Sequence, residues 1–165
     1  MVQIRHYRCS DAPALYELFC HTIHSVNIKD YSLNQVNAWA PKDFDMRVWQ
    51  QKMDSIKPFI AEIDNVIVGY ADLQESGLID HFFCHGDYQG QGVGRMLMNT
   101  IINSATDRSM ALIYSNVSLT ACPFYQHFGF KISKQQLIHV RGESLINFIM
   151  EKLIFLQNER KNVTN

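Results

Sequence analysis

The stretch Tyr88-Gln89-Gly90-Gln91-Gly92-Val93-Gly94-Arg95 decides how the rest of this chain is read. It follows the apolar, strand-like run Leu78–Cys84. It opens a segment in which Val93, Leu97, Ile101 and Ala105 recur every four residues, the pattern of an amphipathic helix. Glycines between a strand and a helix let the backbone approach an anion, and the first free N–H groups of the helix point at it. A phosphate or pyrophosphate is the natural guest. The spacing is not that of a dinucleotide fingerprint. Counted from Gly90 and Gly92 the third glycine position holds Arg95, and counted from Gly92 and Gly94 it holds Leu97. A P-loop is excluded too, since Arg95-Met96 stands where Lys and Ser or Thr are needed. The string alone also allows a glycine-rich turn that holds nothing.

Working outward, the pattern predicts a first strand over Val2–Tyr7 and a helix from Asp11 to near Val26, N-capped at Ser10-Asp11. A less regular helical region carries Leu33, Val36 and Trp39 and closes at Pro41, and a third helix spans Phe44–Ile56. A hairpin joins Pro58–Ile63 to Val66–Leu73 through Asp64-Asn65. Downstream lie a strand over Ala111–Val117, a helix over Leu119–His127 ending at Gly129, and a terminal hairpin of 130–140 and 144–153 around Arg141-Gly142. Strands and helices mixed in this order predict an α+β domain over residues 1–156, followed by a polar tail over 157–165.

Composition narrows the function. The chain has 165 residues, 47% of them apolar, with 15 Lys plus Arg against 16 Asp plus Glu. A net charge of -1 gives no electrostatic reason for nucleic acid or an anionic membrane as partner. No apolar run approaches the roughly 18 residues of a membrane span. Met1–His6 does not resemble a signal peptide, and Cys9, Cys20, Cys84 and Cys122 fall at irregular spacings, so free, buried thiols in a reducing cytoplasm are expected. No metal is expected. His81, Cys84 and His85 diverge along a strand, while His21 and His24 lack further ligands and read as a solvated helix face.

Gln89, Gly92 and Gly94, followed by Arg95, resemble the Gln/Arg-x-x-Gly-x-Gly/Ala motif of the GNAT superfamily of acetyl-coenzyme-A-dependent N-acetyltransferases. A second string, Ser118-x-x-Ala121-x-x-Phe124-Tyr125-x-x-x-Gly129-Phe130, is similar to that family's other coenzyme segment. The resemblance implies a single GNAT-type domain: a mostly antiparallel central sheet of about seven strands with helices on both faces. Its parallel pair, Leu78–Cys84 and Ala111–Val117, would splay to admit the pantetheine arm. Acetyl-CoA is the implied acetyl donor, without a metal. Gln89, Gly90, Gln91, Gly92, Val93, Gly94 and Arg95 would cradle the pyrophosphate. Phe82, Phe83 and Cys84 would run beside the pantetheine, through main-chain atoms at Phe82 and Cys84, and Ser118 and Tyr125 would also touch the cofactor. Gly86 stands where the family often has Pro, and Ser118 where it often has Asn.

The same resemblance makes Tyr125 the candidate general acid that protonates the departing thiolate; an aromatic packed beside Phe124 and Phe128 is the alternative. Along an unbroken strand Asp80, Phe82 and Cys84 share a face, which gives Asp80 the parity of the family's acceptor-side bases. The alternative is a carboxylate that only orients its neighbours. His81 should point the other way and be structural. The acceptor wall should come from Asn27–Trp49, with Tyr31 and Trp39 as candidate substrate contacts. That segment has no acidic excess, which favours a small-molecule primary amine over a polycation. A non-catalytic acyl-CoA sensor and a protein-lysine acetyltransferase are the competing readings, and a homodimer is left open.

Overall fold

Neighbouring residues on the central strands sort the helices into two layers. Ile60 and Tyr70 are buried with Leu15, Ile23, Val36, Trp49 and Met53, whereas Ala61 and Ala71 are buried with Leu97, Met98 and Ile101. That is the alternation of side chains across a sheet with helices on both faces. The structure, a computed structural model, describes residues 1–154; the tail expected at 157–165 lies outside them.

The described residues form eight strands and five helices. In chain order they are β1 (Gln3–His6), α1 (Ala12–Ser25), α2 (Leu33–Trp39), α3 (Met46–Ile56), β2 (Phe59–Ile63), β3 (Val66–Ala71), β4 (Leu78–Ile79) and β5 (Phe82–Cys84). Then come α4 (Val93–Asp107), β6 (Leu112–Ser118), α5 (Cys122–His127), β7 (Lys131–Val140) and β8 (Glu143–Leu153). The strands make two four-stranded sheets, ordered β1-β2-β3-β5 and β4-β6-β8-β7. All pairings are antiparallel except β4 with β6. The Asp64-Asn65 and Arg141-Gly142 turns both hold two successive residues at positive φ, as tight two-residue hairpins require.

One expected element is two. The run Leu78–Cys84 breaks at Asp80-His81, so β4 joins one sheet and β5 the other, giving eight strands instead of seven. Asp72 is the physical cause. Its carboxylate, 1% exposed, accepts the N–H of Asp80 at 3.0 Å and that of His81 at 2.6 Å on a single oxygen. Two consecutive amides turned onto one side chain cannot continue a ladder.

Local chemistry also moved several helix starts. Asp45 caps α3 by accepting the Arg47 N–H at 2.9 Å, so that helix begins at Met46 and not at Phe44. α5 begins at Cys122, with Pro123 in its first turn and the Ser118 hydroxyl accepting the Ala121 N–H at 3.1 Å just ahead of it. Asp11 stands at the start of α1, but its carboxylate is held by Arg5 at 2.8 and 2.9 Å instead of capping the helix. All four cysteines are free; Cys122 is buried as expected, but Cys9 is exposed. Among the described residues no helix is long and apolar enough to cross a membrane.

Candidate active site

β4 lies parallel beside β6 within the second sheet, at Leu78 opposite Tyr114 and Ile79 opposite Ser115, and the chain leaving β3 runs along its other side, with the Gln74 N–H donating to the Leu78 carbonyl at 2.9 Å. Beyond that point β5 follows β3 and β6 follows β8, and the gap between them widens into a cleft of about 930 Å³. On β5 the odd residues face β3: the Asp72 N–H donates to the His81 carbonyl at 3.1 Å and the His85 N–H to the Val68 carbonyl at 2.8 Å. The main-chain groups of Phe82 and Cys84 therefore face the cleft. One of them is already engaged, since the Thr22 hydroxyl donates to the Cys84 carbonyl at 3.0 Å.

At one end of the cleft lies the glycine loop. Gly90 and Gly92 have φ of +74° and +85°, and a side chain added at either would meet nothing within 4 Å. The backbone there needs glycine for its conformation and leaves open space in front of it. Gly92 ends the loop as the N-cap of α4 and supplies no side-chain cap, so the first N–H groups of that helix stay available to an anion. Gly94 is needed for a different reason: a Cβ there would stand 3.1 Å from the Phe124 ring, so its absence lets α4 lie against α5. Gln89, Gly90, Gly92, Val93, Gly94 and Arg95 line the cleft, with Arg95 exposed at its rim; Gln91 points its amide back to the Asp87 carbonyl, 3.4 Å away. This end therefore offers open space and free N–H groups to an anion.

Tyr125 sits at the floor, where the sheets part. It is 3% exposed and packs edge-on against Phe82 and Phe130. Its hydroxyl donates to the Ser115 Oγ at 3.4 Å, and Ser115 passes its own proton to the Ile79 carbonyl at 2.7 Å. Burial holds the phenol far above the ordinary tyrosine pKa, so the group stays protonated. A thiolate at this depth would be destabilised by the same burial, which pushes the Cys84 thiol up to about 12. Ser118, also on the cleft wall, accepts from the Asn27 side chain at 3.3 Å.

The other end is walled by α1 and by the chain before and within α2, through Phe19, Thr22, Asn27 and Trp39. Asp80 and His81 line it as well, and here the strand break changes an expectation. Asp80 does not share a face with Phe82 and Cys84. It forms an ion pair with Lys52 of α3, while His81 packs on Phe19 and on Trp49 of the same helix, so both are on the α1–α3 side. The extra turn at Asp72 cancels the parity on which the sequence reading rested. Nor does His81 point away from Asp80 as strand parity implied: its Nε2 is 3.9 Å from Asp80 Oδ2. Burial holds the His81 pKa down to about 4, and its Nδ1 shares a hydrogen bond of 3.1 Å with the wholly buried Tyr70 hydroxyl.

Of the two aromatic residues expected to contact an acceptor, Trp39 lines the cleft but Tyr31 does not. Tyr31 is 6% exposed; its hydroxyl donates to the Ile146 carbonyl at 2.7 Å and accepts the Leu119 N–H at 2.9 Å. Both capacities of that oxygen are used inside the protein. Sequence reasoning missed the opposite case. Thr120 Oγ1 and Asn147 Oδ1 are buried in the cleft wall with no hydrogen-bond partner among the described residues. The signal for Asn147 was visible, since an amide inside the apolar run of β8 must find a partner.

The profile of the acetyltransferase (GNAT) domain family matches residues 27–152, which include both glycine loop and Tyr125. The chain belongs to the GNAT acetyltransferases. Among relatives of this family it is 30% identical to the uncharacterized N-acetyltransferase YafP of Escherichia coli (strain K12), covering 90% of this chain and 94% of that one. In three dimensions it is similar to the GCN5-related N-acetyltransferase "Aminotransferase, Class-II" of Rhodopseudomonas palustris, with a TM-score of 0.88, 28% identity and coverage of 92% and 94%. It also shares its fold with yncA of Salmonella typhimurium, a putative acetyltransferase solved with its cofactor acetyl-CoA, at a TM-score of 0.70, 17% identity and coverage of 93% and 94%.

Proposed function

We propose that this GNAT enzyme moves the acetyl group of acetyl-CoA to a primary amine of a small molecule, by direct attack through a tetrahedral intermediate. The observation that carries this reading is the Tyr125 hydroxyl, buried and protonated where the two sheets part. Gln89 to Arg95 hold the pyrophosphate, chiefly through the free N–H groups of the loop and α4. Phe82 and Cys84 hold the pantetheine through their main chain, with Phe83 between them turned to the other layer, and Ser118 reaches the same arm.

The amine lone pair forms the new C–N bond at the thioester carbonyl, and the C–S bond breaks. Tyr125 gives its proton to the leaving sulfur. Asp80, directly or through water, takes the proton that the amine loses, and the two exchanges balance. Among the described cleft-lining residues Asp80 is the single carboxylate. One carboxylate beside Trp39, Phe19 and the unpartnered Asn147 oxygen suits an acceptor with one amine and an apolar or amide-bearing body.

Acetyl-CoA should raise the melting temperature, because a ligand bound only by the folded state adds RT ln(1 + [L]/Kd), while NADH and ATP should not. A thiol-release screen of small primary amines should then find turnover. An equal shift with NADH overturns the cofactor assignment. Tight acetyl-CoA binding without turnover of any amine transfers the reading to an acyl-CoA sensor, and turnover of a protein lysine alone overturns the small-molecule acceptor.

A further inference from the structure

We infer that His21, His85 and Asp87 form a binding site for a divalent transition-metal ion of the zinc type, outside the cleft and against the approach to the glycine loop. α1 presents His21 to His85, which follows β5, with ring centroids 4.1 Å apart. One nitrogen from each ring and a carboxylate oxygen of Asp87 all lie within 4.8 Å of one another. Asp87 Oδ2 is 4.0 Å from His21 Nε2 and 4.0 Å from His85 Nδ1.

The ring nitrogens of His21 supply the second observation. Both are screened from water, and neither has a hydrogen-bond partner among the described residues. Buried polar atoms are rarely left so. His24, one turn further along α1, shows the ordinary arrangement, with its nitrogens 2.8 Å from the Cys20 carbonyl and 3.1 Å from Asn37 Oδ1. At His85 the Nδ1 lone pair meets only a long contact of 3.3 Å from the Asp87 N–H.

Two imidazoles and a carboxylate are the donor set that zinc, cobalt and nickel favour, and three ligands leave a fourth position for water. Zinc bonds of about 2.0–2.2 Å place tetrahedral donor atoms roughly 3.3 Å apart. The two 4.0 Å carboxylate-to-imidazole spacings shorten by rotation of Asp87, whose side chain is 78% exposed, and the spacing between the two imidazoles by rotation of the rings themselves. The two histidines already stand on a tight joint: a Cβ on Gly86 would lie 2.7 Å from the Ser25 hydroxyl of α1. A bound ion would therefore fasten α1 to the turn Gly86–Tyr88 that leads into the loop. The expectation of no metal came from pairing His21 with His24 and His85 with His81. The chain brings His21 to His85 instead.

The test is calorimetric titration of the whole, chelator-treated chain with Zn2+, repeated with Co2+ and followed by visible absorption. The expected result is one ion per chain, with a nitrogen/oxygen-type cobalt spectrum lacking a thiolate charge-transfer band. His21→Gln and Asp87→Asn should each weaken Zn2+ binding by about tenfold or more, and His24→Gln should leave it unchanged. No ion bound by the wild type, a thiolate band, or unchanged affinity in Asp87→Asn each overturns the site. Asp87 is exposed, so that last variant decides even if His21→Gln fails to fold. None of these readouts depends on acetyl transfer.

Discussion

The two ends of the cleft are made from different parts of the amino acid. Around α4 the surface offered to a ligand is backbone: the loop Gln89–Gly94, the free N–H groups that follow Gly92, and the cleft-facing main chain of β5. Around α1 and α2 it is side chain: Phe19, Trp39, Asp80 and Asn147, contributed by four separate elements or turns. A backbone surface needs fixed conformations at fixed spacing, so it leaves glycines in a pattern that can be read. A side-chain surface needs only that residues far apart in sequence meet, and many sequences satisfy that.

The largest effect that should separate the two ends comes from Tyr125 on the floor between them. Tyr125→Phe keeps the ring against Phe82 and Phe130 and removes the acid, so kcat should fall about 10²–10⁴-fold with acetyl-CoA affinity nearly unchanged. Asp80→Asn should also lower kcat, with partial recovery at high pH where more of the acceptor amine is already neutral. Full turnover by Tyr125→Phe would make the residue packing alone and leave water to protonate the sulfur.

Next in size, Gly92 can be set against Gly142. Their φ values are +85° and +84°, and neither would bring a Cβ within 4 Å of anything. Valine at either position should cost about 1–2 kcal/mol of backbone strain. Only Gly92→Val should also weaken acetyl-CoA binding, by about tenfold or more, because only there does a ligand need the space beside the chain. Equal affinities in the two variants, measured by calorimetry, would reduce the loop to a turn.

The effect furthest from turnover and binding, read in stability alone, concerns the residue that opens the cleft. Burial holds the Asp72 carboxyl up to about 6, against the pull of the His81 and Asp80 N–H groups and Gln74. In the unfolded chain it ionises near a pH of about 3.9. Between those values the folded protein keeps a proton that the unfolded chain has released. Its contribution therefore falls as pH rises from about 4 to about 6, and is level beyond. His81, neutral in the fold down to about 4, acts with the opposite sign, adding stability as pH rises toward the ordinary histidine value. Comparing wild type with Asp72→Asn isolates the carboxyl. The variant should match wild type near pH 4 and exceed it at pH 7, by at most about 3 kcal/mol, in urea unfolding. A loss of stability at pH 7 would mean that the charge itself is needed to hold the strand break.

What could be read beforehand follows the same division. The loop, the helix α4 and the string from Ser118 to Phe130 were legible because local spacing carries their physics. The parallel contact was legible only in outline. Leu78–Cys84 is continuous by pattern, and nothing local reveals that Asp72, in the preceding strand's overrun, would claim two of its amides. Asp80 was thereby assigned the wrong face. Tyr31 was placed on the acceptor wall because aromatics there looked available; its two hydroxyl partners come from β8 and from the turn after β6. His21 and His85 meet across most of the first half of the chain, a distance over which no periodicity speaks.

Tyr31 has a consequence for anyone wishing to change what this enzyme accepts. Because its hydroxyl clasps the Ile146 carbonyl and the Leu119 amide together, the segment carrying α2 is pinned at its entrance to β8 and to the turn after β6. If the proposed acceptor end is right, acceptor choice becomes a replaceable cassette that begins after this pin. The exposed residues between Ser32 and Trp39 are the ones to exchange, with the buried Val36 and Ala38 kept so that the sheet beneath them holds its packing. A graft that also replaces Tyr31 would leave a buried amide and carbonyl unanswered and loosen the floor beneath Tyr125.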